Sequence, residues 1–185
     1  MKEIVVWSRF IRVWHWLLVI NIVLLFISGA FKIQQLHVAL GIITVILAFS
    51  RVFHGFLAKG HSSFSSFIQS PKRVIDYAVK SLKRKEENYL GHNPLAGYVM
   101  TFIIFSIIIT GFVGMGVFII DKELFTSLNS VGDIDKINKT FSKIHSVMSF
   151  LISGSIILHL TGVIRHIYVK KENIVKSMIN GKKIT

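Results

Sequence analysis

The sequence predicts an all-α membrane protein: a four-transmembrane-helix up-and-down bundle with both termini cytoplasmic, plus an amphipathic helix on the cytoplasmic surface. Three observations carry this prediction. Hydrophobic residues make up 52% of the 185-residue chain, and the mean hydropathy of +0.61 is too apolar for a soluble domain of this size. Four apolar runs, at about 10–31, 36–57, 95–120 and 141–168, each reach the roughly 20 residues that a helix needs to cross a 30 Å hydrocarbon core. The basic residues are also unevenly divided between the segments joining those runs. Seventeen Lys and Arg fall at the N-terminus, the end of the second run, the second connection and the tail, against five (Lys32, Lys122, Lys136, Lys139, Lys143) on the other side. By the positive-inside rule the richer side is cytoplasmic.

The net charge of +13 is therefore mainly a topology signal. It excludes nucleic acid as a partner, since no soluble domain exists to present a basic face. The chain has no cysteine, which excludes disulfides, thiolate-held iron–sulfur or zinc sites and covalently attached haem. The first run is too long, and lacks the small-residue cleavage pattern, for a signal peptide, so it is expected to be a retained span.

The connections follow from their length and pattern. The first, near Lys32 to Gln35, is so short that spans one and two must be antiparallel neighbours. In the second, Ser70 and Pro71 suit an N-cap and first helical turn, and Val74, Ile75, Ala78, Val79 and Leu82 recur at helical spacing among Lys and Arg. That pattern predicts an amphipathic helix over about 71–84, anchored on lipid or offered to a partner. The third, 121–140, mixes Asp121, Glu123, Asp133 and Asp135 with lysines without clear periodicity and is expected to be an external loop.

The chemistry lies in the histidines. His145 and His159 are fourteen residues apart on span four, close to four helical turns, so both leave one face about 21 Å apart. Titratable groups inside a span are costly and need partners. With the N-terminus inside, His15 lies near the cytoplasmic end of span one and His37 near the external end of span two. Depth then pairs His15 with His159 and His37 with His145. Two bis-histidine sites at two depths suit two b-type haems, whereas a zinc or copper site would gather its ligands at one depth.

Other residues keep the same spacing. Gly29, fourteen after His15, and Gly41, one turn from His37, either clear space for a flat macrocycle or let helices pack closely, as Gly111, Gly114 and Gly116 do on span three. Arg51, fourteen after His37, is level with the inner pair, where it either binds a haem propionate or anchors the membrane edge. His166, seven after His159, can cap a propionate or line a quinone pocket. His54, His61 and His92 read as core or interfacial residues, with Arg12 and His92 as further candidates beside His166 for a quinone pocket near His159.

These features resemble the bacterial cytochrome b561 family, which includes the b-type cytochrome subunits of nickel–iron hydrogenases. The resemblance rests on Arg12-Val13-Trp14-His15-Trp16, on Leu36-His37-Val38-Ala39-Leu40-Gly41 leading to Arg51, on Tyr89-Leu90-Gly91-His92-Asn93-Pro94, on His145 and His159, and on Met178-Ile179-Asn180-Gly181-Lys182. It covers nearly the whole chain, 1–185, as a single integral-membrane cytochrome b domain in the bacterial inner membrane. It implies two stacked haems b, with His15, His37, His145 and His159 as axial ligands to the iron, exchanging electrons with membrane quinone. His54 departs from the pattern, in which an aromatic residue often precedes the glycine. Three functions share such a scaffold. One is electron transfer from a redox partner, whether dehydrogenase, hydrogenase or c-type cytochrome. Another is a self-contained superoxide:quinone oxidoreductase, for which Lys136, Lys139 and Lys143 would draw in the anion. The third is a non-redox scaffold or transporter with structural histidines.

Overall fold

In the computed structural model, which describes residues 3–121 and 131–184, the chain forms the helices α1 (Arg9–Ala30), α2 (Gln34–Leu57), α3 (Phe64–Phe67), α4 (Pro71–Leu82), α5 (Pro94–Asp121), α6 (Val131–Tyr168) and α7 (Ile174–Asn180). Two short strands, β1 (Glu3–Val5) and β2 (Lys182–Ile184), pair antiparallel and join the ends of the chain. Lys2, Lys122 and Glu123, counted above, lie outside the described residues, as do the side chains of Asp121 and Asp133. Four helices, α1, α2, α5 and α6, are long and apolar enough to cross a membrane. Their outer faces leave large apolar side chains such as Phe26, Phe112, Phe150 and Ile157 exposed, as surfaces that meet lipid do.

The helices are held by two kinds of contact. An apolar layer of Trp14, Leu18, Ala48, Ile103, Ile104, Ile107 and Ile152 fills the middle of the bundle. Polar ties cross it where a backbone carbonyl can be reached: Trp14 Nε1 donates to the Leu47 carbonyl at 2.7 Å, and Asn21 Nδ2 donates to the Leu40 carbonyl at 3.0 Å and to Thr44 Oγ1. In hydrocarbon such bonds have little water to compete with them, so they fix the register of α1 against α2.

The fourth helix departs from expectation. It begins at Val131, ten residues before the predicted span, so the second half of the expected loop is helical. The signal was present, because Ile134 and Ile137 continue the Phe141 and Ile144 stripe at intervals of three and four. The interspersed charges of Asp135, Lys136 and Lys139 masked it. Helix α4 ends at Leu82, with Pro71 in its first turn and Ser70 at the N-cap position without a capping hydrogen bond. Its Ile75, Val79 and Leu82 are exposed.

The strand pairing is a second departure. Val6 and Trp7 donate their N–H groups to the Gly181 carbonyl, Arg12 reaches the Ile179 carbonyl, and Trp16 Nε1 donates to the Met178 carbonyl at 3.3 Å. A separate ion network fastens the second connection to the end of α6. The Glu86 side chain is only 3% exposed and meets Arg165 at 2.6 Å and Lys170 at 3.6 Å. The hydrogen bond from Arg165 holds the Glu86 carboxyl below its ordinary value.

A depressed carboxylate adds stability that is complete above its unfolded value of about 4.3 and drains away as pH falls through the folded value. Thermal unfolding in detergent should therefore lose midpoint steeply below about pH 4.3. Glu86→Gln should flatten that acid limb, at a cost near neutral pH of roughly 1–3 kcal/mol. An unchanged acid limb would remove Glu86 from the network.

Candidate functional site

The bundle encloses two cavities at different levels. The outer one, about 720 Å³, is lined by His37 and His145 together with Gly29, Gly41, Gly111 and Gly114. The two imidazoles face each other with ring centres 6.1 Å apart and planes at 77°. His37 Nδ1 lies 3.1 Å from the Leu25 carbonyl oxygen and 3.3 Å from Ser28 Oγ, while His145 Nδ1 lies 3.1 Å from the Thr110 carbonyl oxygen. A carbonyl only accepts, so each ring carries its proton on Nδ1 and keeps the Nε2 lone pair free.

The glycines make this arrangement possible. A Cβ on Gly114 would sit 2.8 Å from the His145 ring, and one on Gly29 would sit 3.2 Å from the His37 ring. Gly29 thus clears space for the imidazole of His37 itself. Gly41 faces open cavity, with only Leu25 at 4.0 Å. Neither His37 nor His145 could hold its present rotamer against a bulky residue at these positions.

The inner cavity is lined by His15, His159, Arg51 and His92, with Trp14, Phe67, Met100, Ile104 and Met178. Its free volume is only about 40 Å³, with Phe67 and two methionines among the side chains that line it. Among the buried polar atoms without a hydrogen-bond partner are His15 Nδ1 and Arg51 Nη1. Arg51 is buried; its Nη2 donates to the Ser62 carbonyl at 3.1 Å, and its guanidinium lies over Phe64 and Phe67. An uncompensated cation in this position is expensive unless an anion joins it. The donor set therefore suits a group with a nitrogen-binding centre and a carboxylate, and the methionines are the side chains most able to move aside for it.

The sequence thus named four histidines, and the structure places them pairwise at two cavities, with Arg51 at the inner one. His166 lines neither: it meets Asn93 at 3.4 Å and Glu172 at 3.6 Å. His54 stacks on Phe10, with centroids 4.3 Å apart. His92, read from sequence as a core residue, lines the inner cavity between Trp7 and Phe67, with ring centres at 4.9 and 5.2 Å. Burial, then the charge of Arg51, pushes its imidazole down to about 3, which keeps it neutral. The signal for His92 was its Gly-His-Asn-Pro context. Met178 stood in the Met-Ile-Asn-Gly-Lys motif of the resemblance, with no spacing to tie it to this cavity.

A family model described as prokaryotic cytochrome b561 matches residues 6–181. Curated relatives share the full span of the chain at low identity. A probable Ni/Fe-hydrogenase B-type cytochrome subunit of Rhodobacter capsulatus is 25% identical, covering 97% of this chain and 80% of the relative. Proteins with the same description from Rhizobium leguminosarum bv. viciae and Bradyrhizobium diazoefficiens are 22% and 23% identical, covering 99% and 94% of this chain.

The geometry predicts the behaviour of one glycine. Gly114→Val should displace the His145 imidazole and shrink the outer cavity while leaving the inner one intact, which a structure of the variant or His145 side-chain NMR shifts would report. An unmoved ring would mean that the glycine serves helix packing alone.

Proposed function

Because the chain belongs to the prokaryotic cytochrome b561 family, whose members carry haem b in the membrane, we propose that it moves electrons between a redox partner and the quinone pool through two haems b. His37 and His145 ligate the outer haem; His15 and His159 ligate the inner. The observation that supports this most is the 6.1 Å between the facing rings of His37 and His145. Two imidazoles sharing one metal ion through bonds of about 2 Å place their ring centres roughly 6 Å apart. Each bound haem supplies a one-electron iron couple.

The chain's own residues do the rest. The carbonyls of Leu25 and Thr110 hold the outer imidazoles in the ligating tautomer, the usual way a protein orients a metal-binding histidine. Arg51 Nη1 offers the inner haem a propionate partner. Gly41 keeps the outer cavity open to a macrocycle, and Gly29 makes room for the His37 ring. The apolar layer between the two levels excludes water and sets a low dielectric around both irons.

The basic bias places both termini and the second connection on the cytoplasmic side of the bacterial inner membrane, with residues 1–185 as one integral-membrane domain. Helix α4 lies on that leaflet, with Ile75, Val79 and Leu82 in lipid. The names of the relatives favour a hydrogenase as the partner; a dehydrogenase or c-type cytochrome would dock for the same purpose. His166, held by Asn93 and Glu172, belongs to the ion network behind the inner site.

One observation favours a second reading. Lys136, Lys139 and Lys143 outnumber Asp135 in the lining of an open depression of about 450 Å³ at the start of α6, with His145 two residues on. An anion such as superoxide would be drawn there, making the chain a self-contained superoxide:quinone oxidoreductase.

Purified protein should show b-type reduced-minus-oxidised bands with two haems per chain. His145→Ala should remove one haem and spare the other; a chain without haem would instead be a scaffold or transporter. Quinone-dependent superoxide consumption by the chain alone, weakened in Lys136→Glu/Lys139→Glu/Lys143→Glu and by salt, would establish the second reading. Its absence would leave the partner-fed one.

A further inference from the structure

The Met178-Ile179-Asn180-Gly181-Lys182 segment has no part in the function proposed for the histidines, yet it is tied to the bundle along its whole length. Met178 packs against the cluster of Val6, Trp7 and Ile11 and lines the inner cavity together with His15 and His159. Four side- and main-chain bonds hold this stretch: from Val6 and Trp7 to the Gly181 carbonyl, from Arg12 to the Ile179 carbonyl and from Trp16 to the Met178 carbonyl. Beyond it β2 pairs with β1, and Lys183 reaches the Tyr89 carbonyl at 3.3 Å and Glu172 at 3.6 Å.

We propose that this tail is the removable wall of the inner cofactor site, with Met178 as the residue that closes that site to water and positions the haem held by His15 and His159. The inference rests on the assignment of those two histidines as ligands. Three observations carry it. No residue of the tail lines the outer cavity, so the tail serves one level only. The two flexible thioethers at the inner level come from different places, Met100 from α5 and Met178 from the tail, so only Met178 can be withdrawn without disturbing a span. And one of the tail's fastenings, at Gly181, tolerates no side chain. Gly181 has φ +84°, and a Cβ there would lie 2.8 Å from the Trp7 carbonyl oxygen and 3.1 Å from Arg12 Nε. Any other residue pays for the left-handed backbone and meets a backbone atom that cannot yield. Solvent access and packing around a haem are among the main settings of its potential, so the wall acts as a positioning device rather than as a ligand.

The test uses full-length variants in mild detergent, read by haem content per chain and by redox titration, with the inner component identified as the one missing from His159→Ala. Gly181→Val should lose or shift the inner component and leave the outer one unchanged, which also shows that the bundle has folded. Met178→Ala should shift the inner component alone, and Met178→Leu should restore it. A haem-independent readout uses the absence of native cysteine. A water-soluble maleimide should label Met178→Cys roughly tenfold more slowly than Lys72→Cys, at an exposed polar position of α4, because a covered thiol reacts only through local opening, and Gly181→Val should abolish that protection. Unchanged inner and outer components in Gly181→Val, loss of both together, or fast labelling of Met178→Cys would each overturn the wall. A wild-type chain without two b-type components would instead overturn the ligand assignment, while the labelling still decides the wall.

Discussion

A histidine inside a membrane helix is a constraint on everything around it, because neither of its nitrogens can be left to water. At the outer level the constraint is met on one side by the carbonyls of Leu25 and Thr110, each contributed by a helix other than the histidine's own. The other nitrogen of each ring is thereby aimed into a shared space. The rest of the bundle can be understood as what keeps that aim: glycines where a side chain would push a ring away, an apolar layer that stops the helices from rotating, and Asn21 fixing α1 against α2. The opposite ends of the same helices solve the problem differently. His15 leaves a nitrogen unsatisfied, and so does Arg51, so the inner level keeps a demand for a partner that the outer level has largely met from its own backbone.

The two levels therefore differ in character despite the repeated fourteen-residue spacing. The outer cavity is wide and bordered by the four spans and by Lys32 in the turn between α1 and α2. The inner one is narrow and built from all four spans, the second connection and the tail together, since Phe67, His92 and Met178 belong to none of the histidine-bearing helices. Covalently distant pieces converge there. The buried Glu86 with Arg165 and Lys170 stands on the same side of the bundle and secures the connection that carries His92.

How much of this was legible follows from how far each signal reaches along the chain. Spans are local and repetitive, so apolar runs and helical periodicity sufficed for α1, α2 and α5, and for most of α6. The histidine levels were legible because a rigid helix converts spacing into depth, and because alternating span direction converts depth into pairing. The start of α6 was missed where charge obscured an isoleucine stripe. The terminal clasp was out of reach for a different reason: three residues at one end pair with three at the other, 179 positions apart for Lys182 and Glu3, and neither strand has enough residues to show a pattern. His92 and Met178 stood in motifs of the family resemblance, but spacing could not assign them to the inner level, because their neighbours there come from elsewhere in the sequence.

The clasp has one more consequence, for the order in which the molecule is made. Strand β2 pairs with β1, so the clasp cannot form until the segment after α7 has been made, whereas His37 and His145 can meet once the first half of α6 has emerged and inserted. The two levels are thus completed at different moments of biogenesis. The outer pair is in place first, and the inner site is closed only after the segment that follows α7 has been made.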